Sequence, residues 1–142
     1  KEQEHILCAS CCDTKPPFNR LCAIYRYQDW PKKIIQELKY NKKIFLSRVL
    51  SELLLNAVEQ WYLGEELPTA IIPVPLYISK MRNRGFNQTV EIIKPVANAL
   101  KIQLISELCT KNKDTTPKAD LSMSRRKKNI KEGDISLQQL KF

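Results

Sequence analysis

Apolar residues in this chain recur at helical spacing in three stretches and form short continuous runs between them, and that pattern predicts the elements. Lys1 to Arg20 follows no period; it holds three crowded cysteines and Pro16-Pro17, and reads as a knuckle followed by an extended linker. Leu21 to Tyr27, rich in Ile and Tyr, predicts a strand. Asp29 ahead of Trp30-Pro31 has the form of a helix N-cap with proline in the first turn. Ile34, Ile35 and Leu38 give that helix an apolar face, and Asn41 marks its stop. Ile44 to Trp61 carries apolar residues at three-and-four spacing and predicts a longer helix. Thr69 to Val74 is a continuous apolar run that suits a buried strand of a parallel sheet. Pro75 to Arg84 reads as a basic loop, and Phe86 to Leu100 returns to helical period with a kink expected at Pro95. Ile102 to Leu108 predicts a strand, Thr110 to Asp120 a mobile loop, Ser122 to Lys131 a basic helix, and Ile135 to Phe142 a last strand.

The order of strand, helices, strand, helix, strand, loop, helix and strand implies an α/β fold. The 142 residues suit one domain with one core, and 43 % hydrophobic with 27 % charged residues is the composition of an ordinary globular protein. No apolar run approaches the roughly 20 residues of a membrane-spanning helix, so membrane insertion is not expected. Lys1 to His5 has no signal-peptide character, and clustered thiols without such a signal fit a reducing, cytoplasmic setting. The net charge of +9 calls for an anionic partner: nucleic acid, a phosphorylated metabolite or a membrane surface. The lone histidine, His5, supplies no catalytic dyad, so hydrolysis through a Ser-His-Asp or Cys-His arrangement is not expected.

Candidate chemistry concentrates in Pro73 to Gln88. This stretch leaves the carboxyl end of an expected parallel strand and enters a helix, where open α/β sheets bind their ligands. Gly85 allows positive φ or a close backbone approach, and the N–H groups of the following helix attract anions. Lys80, Arg82 and Arg84 add charge, and Arg can grip phosphate oxygens bidentately. With Asn87 and Gln88 they form the candidate phosphate site. A solvated basic loop with a turn glycine fits the same spacing. A second basic segment contains Lys111, Lys113, Lys118, Arg125, Arg126, Lys127 and Lys128. It is either a solvated face or a surface that tracks phosphates, as a mobile loop over pyrophosphate or along DNA. Tyr25, Tyr27, Trp30 and Tyr40 lie near the basic first helix; core packing is their expected fate, and stacking on bases the alternative.

Cys8-x-x-Cys11 supplies two of the four ligands of a tetrahedral zinc site, with Cys12, Cys22 and His5 as spare candidates. Free thiols are the alternative. Cys22 and Cys109 sit in apolar stretches and are expected to pack.

Several strings together resemble the ComF family of competence-protein-F-like, phosphoribosyltransferase-fold proteins. They are Tyr25-Arg26-Tyr27, Ile34 to Tyr40, Ile72-Pro73-Val74-Pro75-Leu76 and Arg84-Gly85-Phe86-Asn87-Gln88, followed by Leu121-Ser122, Arg125 and Asn129. The resemblance implies a type I phosphoribosyltransferase-like sheet flanked by helices over residues 21–142, preceded at 1–20 by part of a four-cysteine zinc ribbon. It implies that further residues precede Lys1, with the other zinc cysteines, and follow Phe142, with an acidic-acidic-Thr-Thr-Gly loop for phosphoribosyl pyrophosphate. Implied cofactors are structural zinc and Mg²⁺ accompanying phosphoribosyl pyrophosphate. Implied partners are that ligand or a related phosphate, single-stranded DNA, and a DNA-import helicase or other competence proteins. The implied role is DNA uptake in natural transformation, as a phosphoribosyltransferase or as a non-catalytic accessory that binds single-stranded DNA.

One prediction rests on sequence alone. The full-length protein should contain near-stoichiometric zinc by metal analysis, and replacing Cys8 and Cys11 by Ser should remove it. Zinc that survives both replacements would exclude these cysteines as ligands.

Overall fold

The computed structural model describes residues 17–114 and 135–137. Among them are helices α1 (Asp29–Tyr40), α2 (Leu46–Trp61), α3 (Ile78–Arg84) and α4 (Gln88–Leu100), and strands β1 (Ala70–Ile71), β2 (Gln103–Leu104), β3 (Cys109–Lys111) and β4 (Ile135–Leu137). β1 pairs in parallel with β2, with Ala70 opposite Gln103 and Ile71 opposite Leu104. β3 pairs antiparallel with β4, with Cys109 opposite Leu137 and Lys111 opposite Ile135. The mixed α/β class expected from the pattern is therefore present. No described helix is long and apolar enough to cross a membrane.

The crossing of α2 and α4 organises the described core. Val96 and Ala97 of α4 are buried, as are Leu38 of α1, Pro73 after β1 and Ile102 before β2. Ser51 is the fully buried residue of α2. Its small side chain lets the two helices approach, and its Oγ lies 2.7 Å from the Ser47 carbonyl in its own helix and 2.7 Å from the Ile92 carbonyl of α4. One hydroxyl proton is thus shared between two acceptors, one of them across the helix interface. Pro95 stands inside α4, which nevertheless continues to Leu100. Lacking an N–H, Pro95 cannot donate to the carbonyl of Glu91. The Ser51 contact falls on the neighbouring carbonyl, so an outside donor supports α4 where its own ladder is interrupted.

α1 and α4 both end with a lysine in the left-handed region. Lys42 has φ 54° and Lys101 φ 57°. Beyond Lys42, the Lys43 N–H reaches the Glu37 carbonyl at 3.4 Å, and beyond Lys101 the Ile102 N–H reaches Ala97 at 2.9 Å. These turns direct the chain from α1 into α2 and from α4 into β2.

Several expectations need correction. Leu21 to Tyr27 is not a strand, and Leu21 is 83 % exposed. Its path is set by Arg20, which donates to the Trp61 carbonyl at 3.0 Å and pairs with Glu65 at 2.8 Å. Glu65, first by hydrogen bonding and then by charge, raises the Arg20 pKa above its usual range. The anchor is thus at the carboxyl end of α2, where cations are favoured, and not at a sheet edge. Asp29 does not cap α1; Gln28 holds the cap position without a side-chain bond, and Asp29 takes φ 49°. The apolar run at 69–74 yields a two-residue strand because Pro73 and Pro75 have no N–H for a ladder. Ile72 and Val74 are exposed, so that run is not a buried strand either. Ile102 to Leu108 likewise divides, into β2 and a turn before β3. Pro75 to Arg84 is not a loop throughout, since Ile78–Arg84 is helical. Cys22 is exposed where packing was expected. The expected helix at 122–131, most of the 110–120 loop and the cysteine knuckle lie outside the described residues.

Ser51→Ala should lower stability by about 1 kcal/mol, the net value of one hydrogen bond. Ser51→Leu should cost more, about 1–3 kcal/mol, by forcing α2 and α4 apart. Urea unfolding of the two variants measures both, and equal stability of Ser51→Leu and the parent would mean that the helices are not in close contact at this point.

Candidate functional site

The residues that leave the carboxyl ends of β1 and β2 enclose a cleft of about 650 Å³, a size that suits a small-molecule ligand. Pro75 and Leu76 beyond β1 form one wall, and Ser106 and Glu107 beyond β2 form another. Gly85, Phe86 and Asn87 form the floor where the chain turns into α4, and Cys109 to Lys111 of β3 close the side. A cleft outside the carboxyl ends of adjacent parallel strands is the ligand position of open α/β sheets.

Asn87 holds this geometry together. Its Oδ1 accepts from the Thr89 N–H at 3.0 Å and caps α4. Its Nδ2 donates to the Val74 carbonyl at 3.2 Å. One buried amide thus fixes both the start of α4 and the exit from β1. Gly85 ends α3 with φ 87°, and its N–H bonds the Met81 carbonyl at 2.7 Å. A Cβ here would meet no atom within 4 Å, so the requirement for glycine comes from the positive φ alone.

The structure separates the six candidate phosphate residues. Gly85 and Asn87 line the cleft. Lys80 does not line it and instead pairs with Asp114 at 2.6 Å, while Ser79 donates to the same carboxylate at 2.8 Å. Arg82 is exposed on α3. Arg84 donates to Oε1 of Gln88, one turn further on. Helical α3 turns Arg82 away from the face shared by Lys80 and Arg84, and the Asp114 pair draws Lys80 off in turn.

Arg84 is the distinctive cation of this group. Burial lowers its pKa from the usual range, and the nearby Tyr40 acts in the opposite direction. Among the described residues its hydrogen-bond acceptor is a neutral amide, and no carboxylate pairs with it. A partly desolvated guanidinium without a counter-charge is well placed to receive an anion.

Pattern reading missed Ser106, Glu107 and Glu91, which also line the cleft. Glu91 lies in the first turn of α4, where its carboxylate already benefits from the helix dipole. Glu107 reaches the site only because β2 returns beside β1, a fact of topology that local pattern does not carry. Lys111, assigned from sequence to a mobile loop, is in β3 and lines the cleft, and Lys113 is exposed just after it. Lys118, Arg125, Arg126, Lys127 and Lys128 lie outside the described residues, as do Cys8 and Cys11. Among the described residues no group of three His, Cys, Asp or Glu side chains could hold a metal ion.

Topology and cleft together define an α/β protein with a cleft at the end of a parallel strand pair. Comparison with known proteins narrows the class. The chain is 33 % identical over 129 residues to the DNA utilization protein YhgH of Shigella flexneri, covering 89 % of this chain and 57 % of that protein. YhgH of Escherichia coli K12 matches to the same extent. Competence protein F of Haemophilus influenzae is 29 % identical over 126 residues, 87 % of this chain and 55 % of that protein. These likenesses support the ComF-family resemblance read from the sequence, and the chain spans a little over half the length of these relatives. No family model matches the chain, and no solved structure matches it.

Asn87→Ala should lower stability by about 1–2 kcal/mol, because it removes a helix cap and a bond to the β1 exit together. Gly85→Ala should cost about 1–2 kcal/mol from the left-handed backbone alone. Thermal unfolding tests both, and a Gly85→Ala variant as stable as the parent would mean that this turn relaxes out of positive φ.

Proposed function

We propose that this chain serves DNA uptake, as the names of its relatives indicate for those proteins, and that it does so by binding a phosphorylated ligand at the 73–88 segment. The ligand class is phosphoribosyl pyrophosphate or a related phosphate, and the wider fold is of the type I phosphoribosyltransferase kind with a zinc ribbon before it. Arg84 carries this reading: it is a partly buried cation without a carboxylate partner among the described residues, next to the Gly85 turn and the capped start of α4. If transfer occurs, a nucleophile attacks C1 of the ribose and pyrophosphate leaves with the bonding electrons. The protein's contribution would be electrostatic, from Arg84 and from backbone N–H groups aimed at the charge on the leaving group. Mg²⁺, when bound, would neutralise phosphate charge; Glu91 and Glu107 are carboxylates of the cleft lining that could contribute to holding it.

A second reading, non-catalytic binding of single-stranded DNA, draws on a different observation. Tyr25, Tyr27, Trp30 and Tyr40 are each 46–59 % exposed instead of packed. In this reading the chain supplies phosphate contacts and stacking surfaces without making or breaking bonds.

Calorimetric titration of full-length protein with phosphoribosyl pyrophosphate tests the first reading. Arg84→Ala should weaken binding by about 1–3 kcal/mol, the range for charge-assisted hydrogen bonds, and change thermal stability little. Unchanged affinity in a destabilised Arg84→Ala variant would make Arg84 structural and end the anion-site assignment. For the second reading, affinity for single-stranded DNA should fall steeply with salt; an affinity indifferent to salt would exclude phosphate contacts.

A further inference from the structure

The outer face of α1 carries aromatic and cationic side chains in one row. Trp30, Lys33, Glu37 and Tyr40 are spaced by three, four and three residues, so they lie along one side of the helix. Trp30 is 46 % and Tyr40 59 % exposed, and Lys33 between them is exposed as well. The row spans about 15 Å at 1.5 Å per residue. At its start, the exposed ring of Tyr25 meets Trp30 edge-on, with centroids 4.8 Å apart. At its far end, Tyr40 lies near Arg84. The acid in the row, Glu37, is already paired: Lys43 lies 2.6 Å away, and Asn41 donates to it at 3.0 Å. Hydrogen bonding to Lys43 and then to Asn41 holds its carboxyl below the usual range. The opposite side of α1 buries Pro31 and Leu38, so the helix is held in place while its aromatic row faces outward.

We propose that this row is the track along which the protein binds single-stranded DNA, with bases stacked on Trp30 and Tyr40 and phosphates paired with Lys33 and Arg84. The proposal rests on the DNA-uptake reading above and assigns it a surface. Exposed rings alternating with cations match the two faces of a single strand: a flat base that any aromatic can stack on, and a regularly repeating negative charge. Duplex DNA hides its bases within the stack and offers the rings nothing comparable. A second copy of the chain is a poor occupant. Two identical rows would bring Lys33 and Arg84 against their own kind, on a chain whose net charge is already +9.

Fluorescence anisotropy of full-length protein with a labelled oligo-dT of about 20 nucleotides tests the assignment. Trp30→Ala and Tyr40→Ala should each weaken binding about fivefold or more and leave the salt slope unchanged, because the rings touch bases. Lys33→Gln should reduce the slope of log affinity against log salt by about 0.7, the value for one phosphate contact on a single strand. Trp30→Phe keeps an aromatic face and should restore most of the affinity lost in Trp30→Ala, which separates stacking from any loss of folding. None of the substitutions at Trp30 or Lys33 should change binding of inorganic pyrophosphate, which depends on Arg84. If the parent binds oligo-dT and the α1 variants bind it equally well, the track is elsewhere and the DNA-uptake reading stands. If the parent does not bind oligo-dT even at low salt, DNA binding by this protein fails, and the track with it. If the variants instead abolish a concentration-dependent self-association and leave DNA binding intact, the row is an interface between copies and the proposal is overturned.

Discussion

The Asn87 amide is the interaction on which the candidate site depends. Its oxygen caps α4 and its nitrogen holds the carbonyl of Val74, so two segments thirteen residues apart share one rigid joint. The side chain is 7 % exposed. Losing either bond would therefore leave a polar group with little water to replace the partner, a cost of about 1–3 kcal/mol. Everything that forms the cleft between β1 and α4, the Gly85 turn included, hangs between these two attachment points. The prolines at 73 and 75 limit how far the segment could relax if the joint failed.

Charge around the site is divided by purpose. Asp114 takes Lys80 and Ser79 and so ties the residue run after β3 to the start of α3, linking two walls of the cleft. Glu37 takes Lys43 and Asn41 and secures the turn between α1 and α2. Arg20 takes Glu65 and a helix-end carbonyl. These exposed pairs contribute little each to stability, but they consume cations that would otherwise compete for an anion. Arg84 stands apart, bonded to a neutral amide and partly desolvated. A guanidinium in that state gains more from an incoming phosphate than a fully hydrated one, because part of its dehydration has already been met by folding.

The same logic connects the cleft to the outer face of α1. Tyr40 closes one end of the aromatic row and lies near Arg84 at the edge of the 73–88 segment, so the two regions are neighbours. A ligand that carries both bases and phosphates could use both.

Much of this was legible in the chain, and the division is physical. The helices at 29–40, 46–61 and 88–100 follow from apolar spacing that repeats over several turns, a signal local enough to read directly. Gly85 as a left-handed turn and a cleft after the first parallel strand also follow from local chemistry, since positive φ and a proline-bounded apolar run are properties of a few consecutive residues. The helix at 78–84 escaped because alternating Lys80, Arg82 and Arg84 masked the apolar pair Ile78 and Met81, which turn toward the cleft. The aromatic residues near α1 were expected in the core, because exposure is decided by what packs against a helix and not by the helix itself. Which cations are spent on internal pairs and which are left for a ligand was likewise beyond the sequence. Asp114 meets Lys80 across 34 residues and Glu107 lines the same cleft as Asn87, 20 residues earlier, and only the tertiary structure, by returning β2 beside β1 and carrying β3 past the cleft, brings such residues together.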